Sequence, residues 1–513
     1  MPSKHSLDSE VIYPLYNPRK PTQSYNTLNS AAWRAGNADV VGKKQANFTL
    51  CILFLINLVN YMDRYTISPI IPELQDYFKP PLSDTLAGLI QTMFIVSFMI
   101  FAPIFGYLAD RWRRKWLIVA GTVIWAATVV GSTFVQPNQF WIFMLCRCIV
   151  GIGEASYVTC SCTIISDSFS GTARSRAIML FYFAIPLGGG LAYAVGGTVA
   201  ATTGHWQWGL RVSPLFGIIC LIFFLFTKEP VHGQADGGHY SEPGHWLEDI
   251  KRIIRCRSLV LSTLGLTAVN FAIGVAAWWT PTYIQYSQTS FNDQRYNKTV
   301  SSLIFGICTA LGGLLGTLLG STLSISFRRF SASIDPVICG VCLIICGPLL
   351  FLAVLIIEYS LVAFWFTVFG AIAMLSTNWA ITPDLLLYVT APRRRATATG
   401  LQMLVSHFFG DGLGPYIVGA LNDIQYNERS KLIYSHFVAM QRSTFLIVFV
   451  LVLGAGFYLA ASWYVVEDWR STKRELRRDP WPFSETSSSS DTSNVFDKHN
   501  IRVTTDNMQN KKA

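Results

Sequence analysis

The sequence predicts an all-α polytopic membrane protein, with twelve transmembrane helices in two six-helix bundles and both termini in the cytosol. Three observations carry this. A dozen apolar stretches follow one another between Asn47 and Glu467, each long enough to cross about 30 Å of hydrocarbon as a helix. Lys and Arg recur in alternate turns: Lys43/Lys44, Arg111/Arg113/Arg114/Lys115, Arg174/Arg176, Lys251/Arg252/Arg255/Arg257, Arg328/Arg329 and Arg393/Arg394/Arg395. The turns between these are poorer in basic residues, the positive-inside pattern that places the basic turns and both ends in the cytosol. The longest interruption, residues 228–257, divides the stretches into two sets of six.

Composition agrees. Of 513 residues, 51% are hydrophobic and 14% charged, which overrules the two to four soluble domains that length alone would suggest. The net charge of +10 is spread over alternate turns and forms no single patch, so it does not describe a nucleic-acid surface. Eleven cysteines fall almost entirely inside spans. Even Cys339, Cys342 and Cys346, on one helix, have no His or carboxylate beside them and read as small packing residues rather than metal ligands or disulfides.

In chain order, residues 1–45 are a polar tail with prolines at 14, 18 and 21. No signal peptide is present, so the first span serves as its own insertion signal. The expected spans are 48–71, 85–109, 116–135, 139–168, 174–202 and 208–227 in a first bundle (46–227), then 258–287, 299–327, 334–357, 360–389, 396–424 and 439–466 in a second (258–467). The linker 228–257 runs from a Gly- and His-rich stretch into an amphipathic basic one, suited to a helix on the inner leaflet. Residues 468–513 are a tail whose basic start should hug anionic headgroups and whose Ser-rich end has a disordered composition. Asn297-Lys-Thr299 is a glycosylation acceptor in the turn between spans seven and eight.

Polar residues inside spans need a reason to be there, since an ionised group at membrane depth costs a few kcal/mol unless paired. The first span holds Asn60, Asp63 and Arg64. The fourth holds Arg147 and Glu154, two helical turns apart and therefore on one face. Arg147 cannot shed its charge and requires a carboxylate, with Asp63 and Glu154 as the candidates. Such a pair is either a permanent lock between spans one and four, or one that opens when the acid takes a proton or an anionic substrate competes. In the eleventh span His407 and Asp411 lie at i, i+4, where an imidazole can titrate near neutral pH. Asn270 and Trp278-Trp279-Thr280-Pro281 in the seventh span suggest a kinked aromatic wall, and Pro186 with Gly188–Gly190 a bendable fifth span.

Gly106-Tyr-Leu-Ala-Asp110-Arg-Trp-Arg-Arg-Lys115, after the second span, fits the turn signature of the major facilitator superfamily, with Arg113 replacing its second Gly. Asp110 there can cap a neighbouring helix and pair with arginines, so Asp110, Arg111 and Arg114 are expected gating residues. The turn after the eighth span echoes it from Gly320 to Arg329, with Ser324 where the acid would stand, so the gate is expected to be asymmetric. Two repeats with matching turns suit a transporter built around a central cavity.

Taken with NYMDR (60–64), RCIVGIGEASY (147–157), NWAITPDLLLYV (378–389), PRRRATA (392–398) and HFFGDGLGPYIVG (407–419), the membrane part resembles the spinster family of the major facilitator superfamily. Gly414 stands where that family usually has Ser before Pro. The resemblance implies proton-coupled transport of single-chain lipids, either a sphingolipid such as sphingosine-1-phosphate or a lysophospholipid. It makes Asp63, Glu154 and His407 proton-coupling residues, and Arg147, Glu154, His407, Asn60 and Trp279 substrate contacts. A proton gradient is then the driving force, with no cofactor, metal or nucleic acid. The partners are the lipid cargo and the membrane, and a monomer is expected. The late endosome or lysosome is the expected membrane, with the plasma membrane as alternative; Glu10-Val-Ile-Tyr-Pro-Leu15 loosely resembles an endolysosomal sorting signal. An enzyme is disfavoured, because no HExxH occurs and FFGD at 408–411 lacks the first Gly of an intramembrane aspartyl protease. A carrier of another organic anion or of a sugar, or a non-transporting lipid-binding scaffold, remains the competing reading.

Overall fold

In the computed structural model the described residues are 42–109, 112–169, 171–230, 246–290, 298–328, 331, 333–391, 394–426 and 433–478. Asp110, Arg111, Asn297, the Gly- and His-rich half of the linker, residues 1–41 and the Ser-rich tail lie outside them.

Among the described residues eleven helices are long and apolar enough to cross a bilayer. They form because a spanning segment must satisfy every backbone polar group internally, which only a helix does for a single strand of chain. The first six crossings are Lys43–Thr66, continued through a short 3-10 turn into Ile71–Tyr77, then Asp84–Ala109, Arg114–Ser132, Phe140–Ser168, Gly171–Leu191 extended to Thr203 through a π-turn, and Trp206–Leu225. After the linker helix Trp246–Arg255 come Arg257–Ser290, Lys298–Arg328, Ile334–Ile356, Leu361–Val389 and, last, Ile433–Arg478. The remaining crossing, the eleventh, is broken: Arg395–His407 passes through a π-turn, Phe408–Gly412, into Gly414–Gln425. Gly410 leaves helical geometry there (φ −89°, ψ −105°), and Pro415 follows within the next turn, where its missing N–H costs nothing.

One boundary differs from expectation. The last helix runs to Arg478 instead of yielding to a tail at 468. Its extension, with four Arg and one each of Lys, Glu and Leu, favours helix and is anchored to its own half: the Asp468 carboxylate accepts from Ser258 N (2.9 Å) and Thr472 Oγ1 donates to Val389 O (2.8 Å). The linker helix is also held by the second half, through Arg394 Nε to Asp249 Oδ1 (2.7 Å).

Apolar side chains point outward as well as inward. Phe366 and Trp463 are 74% and 80% exposed, as lipid-facing positions should be. Because lipid tails are as apolar as leucine, helices associate through close packing of small residues instead. Spans five and eight cross at Gly190 and Gly306, where a Cβ on either glycine would collide with the carbonyl of the other. The eleven cysteines are all free.

One end of the molecule carries the basic turns; the opposite, far end carries the start of span two and the end of span eleven. Polar contacts between the halves gather from the middle towards the far end. Ser68 Oγ donates to Ala277 O and Trp278 O (2.7 and 2.8 Å), Tyr193 Oη to Ala277 O (2.7 Å), and Thr92 Oγ1 to Gly412 O (2.6 Å). At the basic end the pairs among the described residues join elements of one half. Arg114 Nη1 meets Asp167 Oδ2 (2.5 Å) and its backbone N–H donates to Glu229 Oε1 (2.7 Å). Arg328 Nη2 meets Asp335 Oδ2 (2.6 Å), while Ser324 Oγ donates to Asp335 Oδ1 (2.7 Å) and Tyr388 Oη to Asp335 Oδ2 (3.1 Å). The acid absent at position 324 is thus supplied from the next span, by Asp335.

Candidate functional site

The intramembrane charges sort into two groups, separated by a turn of about 100° along the first span. Asp63 faces into the first bundle. Its carboxylate accepts from Ser213 Oγ (2.6 Å) of span six and Trp125 Nε1 (3.2 Å) of span three, and lies 3.8 Å from Arg147 Nη1 of span four. Asp63 and Arg147 are 1% and 3% exposed. The Arg147 guanidinium also lies over the Phe143 ring at 5.5 Å. Gly121, Gly151 and Gly153 let spans two, three and four close tightly around this pair.

Arg64, one residue on, faces the other half. Its Nη2 donates to Asp411 Oδ2 of span eleven at 3.0 Å, and its Nη1 lies 3.8 Å from Glu154 Oε1 of span four. The guanidinium rests over Phe94 (5.2 Å) and Tyr61 (5.7 Å). Asp411 is shared in turn with His407, whose Nδ1 is 2.9 Å from Asp411 Oδ1. The result is a chain, Glu154–Arg64–Asp411–His407, that crosses from one bundle to the other. Its acids and arginine are buried, while the His407 side chain is one-third exposed. The broken turn in span eleven makes this possible. Gly410 and Asp411 press against Asn270 and Gly274 of span seven, with no room for a Cβ on Gly274.

Next to Tyr65 lies a small apolar cavity of about 90 Å³, below the about 300–1,000 Å³ of small-molecule sites; no member of the chain is among its walls. Tyr65 closes its side towards the first bundle, stacked on Tyr193 at 6.3 Å. Ile273, Thr280, Val368, Leu375 and Trp379 are among its walls.

The placement corrects several expectations. Glu154 is not the partner of Arg147; its cation is Arg64, because Arg147 is turned towards Asp63. Trp279 does not line the cavity. It is 2% exposed and its Nε1 donates to Pro415 O at 3.0 Å, so the wall contact falls to Thr280. Asn60 is buried at 5% exposure and does not line the cavity either. Arg114 ties spans three and four to the end of span six, within one half. His407 and Asp411 are joined as their i, i+4 spacing predicts. Arg64 was visible in the sequence as an intramembrane cation but carried no assigned role; adjacency to Asp63 concealed that the two point to different neighbours.

Residues 53–415 match the family model described as Major Facilitator Superfamily. Protein spinster homolog 3 of Danio rerio is 40% identical over 435 residues, 83% of this chain and 87% of that protein. Protein spinster homolog 1 of Mus musculus is 39% identical over 450 residues, 85% of each. A sphingosine-1-phosphate transporter of Xenopus tropicalis is 36% identical over 499 residues, 95% of this chain and 93% of that one. Among solved structures, a bacterial homologue of the human lysosomal transporter spinster, inward-facing and unoccupied, aligns with a TM-score of 0.72 at 23% identity, covering 83% of this chain and 99% of that chain; at that identity it bears on the fold. Sequence relationship and helical architecture agree, and the chain belongs to the spinster family of the major facilitator superfamily: a multi-pass membrane transporter, not an enzyme.

Proposed function

We propose that the protein carries single-chain lipids with an anionic or zwitterionic phosphate headgroup, a sphingoid phosphate or a lysophospholipid, by alternating access coupled to protons. The observation that carries this reading is Arg64, a cation held between a carboxylate of its own bundle and a carboxylate of the other, next to an apolar cavity. With Glu154 and Asp411 both ionised, Arg64 holds the halves together. A headgroup phosphate competes for the guanidinium with geometry suited to bidentate contact. Protonation of Glu154, or of the Asp411–His407 pair, frees Arg64 in the same way. The named substrate of the Xenopus relative supports a sphingolipid cargo.

The cavity has the apolar walls an acyl chain requires, though at about 90 Å³ it holds only part of one, and it supplies little net affinity. A chain entering from a bilayer leaves one apolar medium for another, so the roughly 0.8 kcal/mol per CH₂ gained on leaving water is mostly cancelled. Headgroup recognition by Arg64 therefore decides the cargo. With the basic turns placed in the cytosol, the polar contacts between the halves close the far end. The late endosome or lysosome is the proposed membrane, the plasma membrane the alternative.

Purified protein in liposomes, loaded with labelled sphingosine-1-phosphate or lysophosphatidylcholine under a pH gradient, tests the coupling. Glu154→Gln and His407→Ala are expected to retain lipid binding but lose the acceleration that the gradient provides. Unchanged gradient dependence in both variants would remove these residues from proton coupling.

A further inference from the structure

At the far end a second ionic cluster joins the two halves, apart from the chain at Arg64. Asp84, the first residue of span two, is 1% exposed. Its carboxylate accepts from Gln75 Nε2 of its own half (2.7 Å), and from two groups of the other half: Asn422 Nδ2 of span eleven and His436 Nε2 of the last helix, the latter at 2.7 Å. The reverse contact is present as well. Asp423 of span eleven accepts from the Asp84 N–H (3.0 Å) and Thr85 N–H (2.8 Å), and from the Thr85 hydroxyl. One half thus caps the first turn of a helix in the other, supplying a carboxylate where the helix dipole favours one. The backbones are also in contact here, since a Cβ on Gly88 would collide with the Pro415 carbonyl and one on Gly419 with the Asp84 carbonyl.

Among the described residues no lysine or arginine pairs with Asp84 or Asp423, and among them His436 is the one group in contact with Asp84 that can become a cation. Its ring lies between Tyr286 of span seven (4.4 Å) and Tyr426 after span eleven (4.7 Å). Among the described residues the charges near this pocket are Asp84 from span two, Asp423 from span eleven and Asp76 from the helix Ile71–Tyr77, all three in electrostatic reach of Tyr286. Imidazole ordinarily changes charge between pH 5 and 8. When it is protonated, a charge-assisted hydrogen bond holds the buried carboxylate from across the seam; when neutral, only uncharged donors do.

We propose that Asp84, Asp423 and His436 form the gate at the far end, a latch between the halves that tightens when His436 is protonated and loosens when it is not. The latch rests on the alternating-access reading given above, and concerns the opening step instead of the cargo. Acid on the far side would favour the closed far gate.

Spin labels introduced as non-canonical residues at Lys79 and Ile424, both exposed on either side of the seam, report the opening by pulsed dipolar distance measurement in nanodiscs. In the otherwise unaltered protein, the long-distance (open) fraction relative to the closed one is expected to rise about tenfold between about pH 5.5 and about pH 8. His436→Gln keeps a donor without the charge and should hold the high-pH ratio throughout. Gly88→Val, a wedge that leaves the charges alone, should open the seam at both pH values. A ratio that ignores pH in the wild type, or that follows pH equally in His436→Gln, would overturn the latch. Lipid transport is measured separately on the same samples. If no lipid moves but the pH response and its loss in His436→Gln remain, the cargo reading fails and the latch stands.

Discussion

Arg64→Ala is expected to lower gradient-driven lipid transport about a hundred-fold, with normal delivery of the protein to the membrane. The reason is the company Arg64 keeps. Glu154 and Asp411 are both buried and both within ion-pair distance of this one guanidinium. Removing a single partner from a buried ionic group costs about 3–5 kcal/mol, because the remaining charges stay desolvated. Here Glu154 would lose its cation and Asp411 would keep only His407, so a buried carboxylate takes a proton and the coupling between proton and cargo is lost. Lysine is not an adequate replacement, since one ammonium cannot present the forked donors that reach both acids. Arg64→Lys should therefore retain measurable binding while its pH profile flattens. Initial rates in proteoliposomes, normalised to reconstituted protein, check both variants. Wild-type rates in Arg64→Ala would take Arg64 out of the mechanism.

The second large effect is on stability. Asp63→Ala and Arg147→Ala are each expected to destabilise the protein by about 3–5 kcal/mol, since each leaves its partner charged and enclosed by the first bundle. Replacing both with apolar residues of similar size, Asp63→Leu with Arg147→Met, should recover most of that loss. Thermal unfolding of the wild type, Asp63→Leu, Arg147→Met and the double variant in one detergent closes the double-mutant cycle. A structural lock predicts a coupling energy nearly as large as either single effect. If Arg147→Ala folds and unfolds like the wild type yet no longer transports, Arg147 is instead the headgroup or coupling residue that the sequence alone suggested.

These two predictions differ because of a rotation that residue order does not display. Asp63 and Arg64 are neighbours in sequence, and Arg147 and Glu154 share a helix. From the sequence, three acids and two arginines form one set of candidate pairs, and Arg147 with Asp63 or Glu154 is a sound expectation. Adjacent residues on a helix point about 100° apart, so Asp63 and Arg64 cannot serve the same neighbour. The packing of spans three, four and six decides that Asp63 turns inward to Trp125, Ser213 and Arg147. Trp279 and Thr280 repeat the case: the tryptophan that looked like a wall goes to Pro415, and its neighbour faces the cavity. The far-end cluster was harder to see. Asp84, Asn422, Asp423 and His436 sit at the ends of spans, where polar residues are ordinary, and they matter only because more than 300 positions of chain fold back to bring them together.

The residues alone determined the solvent of this protein, the number of its crossings, their division into two sets and the short roster of ions held at membrane depth. Those properties are local: a bilayer compels each apolar segment to close its own backbone hydrogen bonds, and charges every buried ion its full desolvation wherever it lies. Tertiary structure alone decided which ion meets which, and so which pair locks one bundle and which chain joins both. Pairing depends on the angular setting of packed helices and on a π-turn at Phe408–Gly412, and both arise from contacts between segments far apart in the chain.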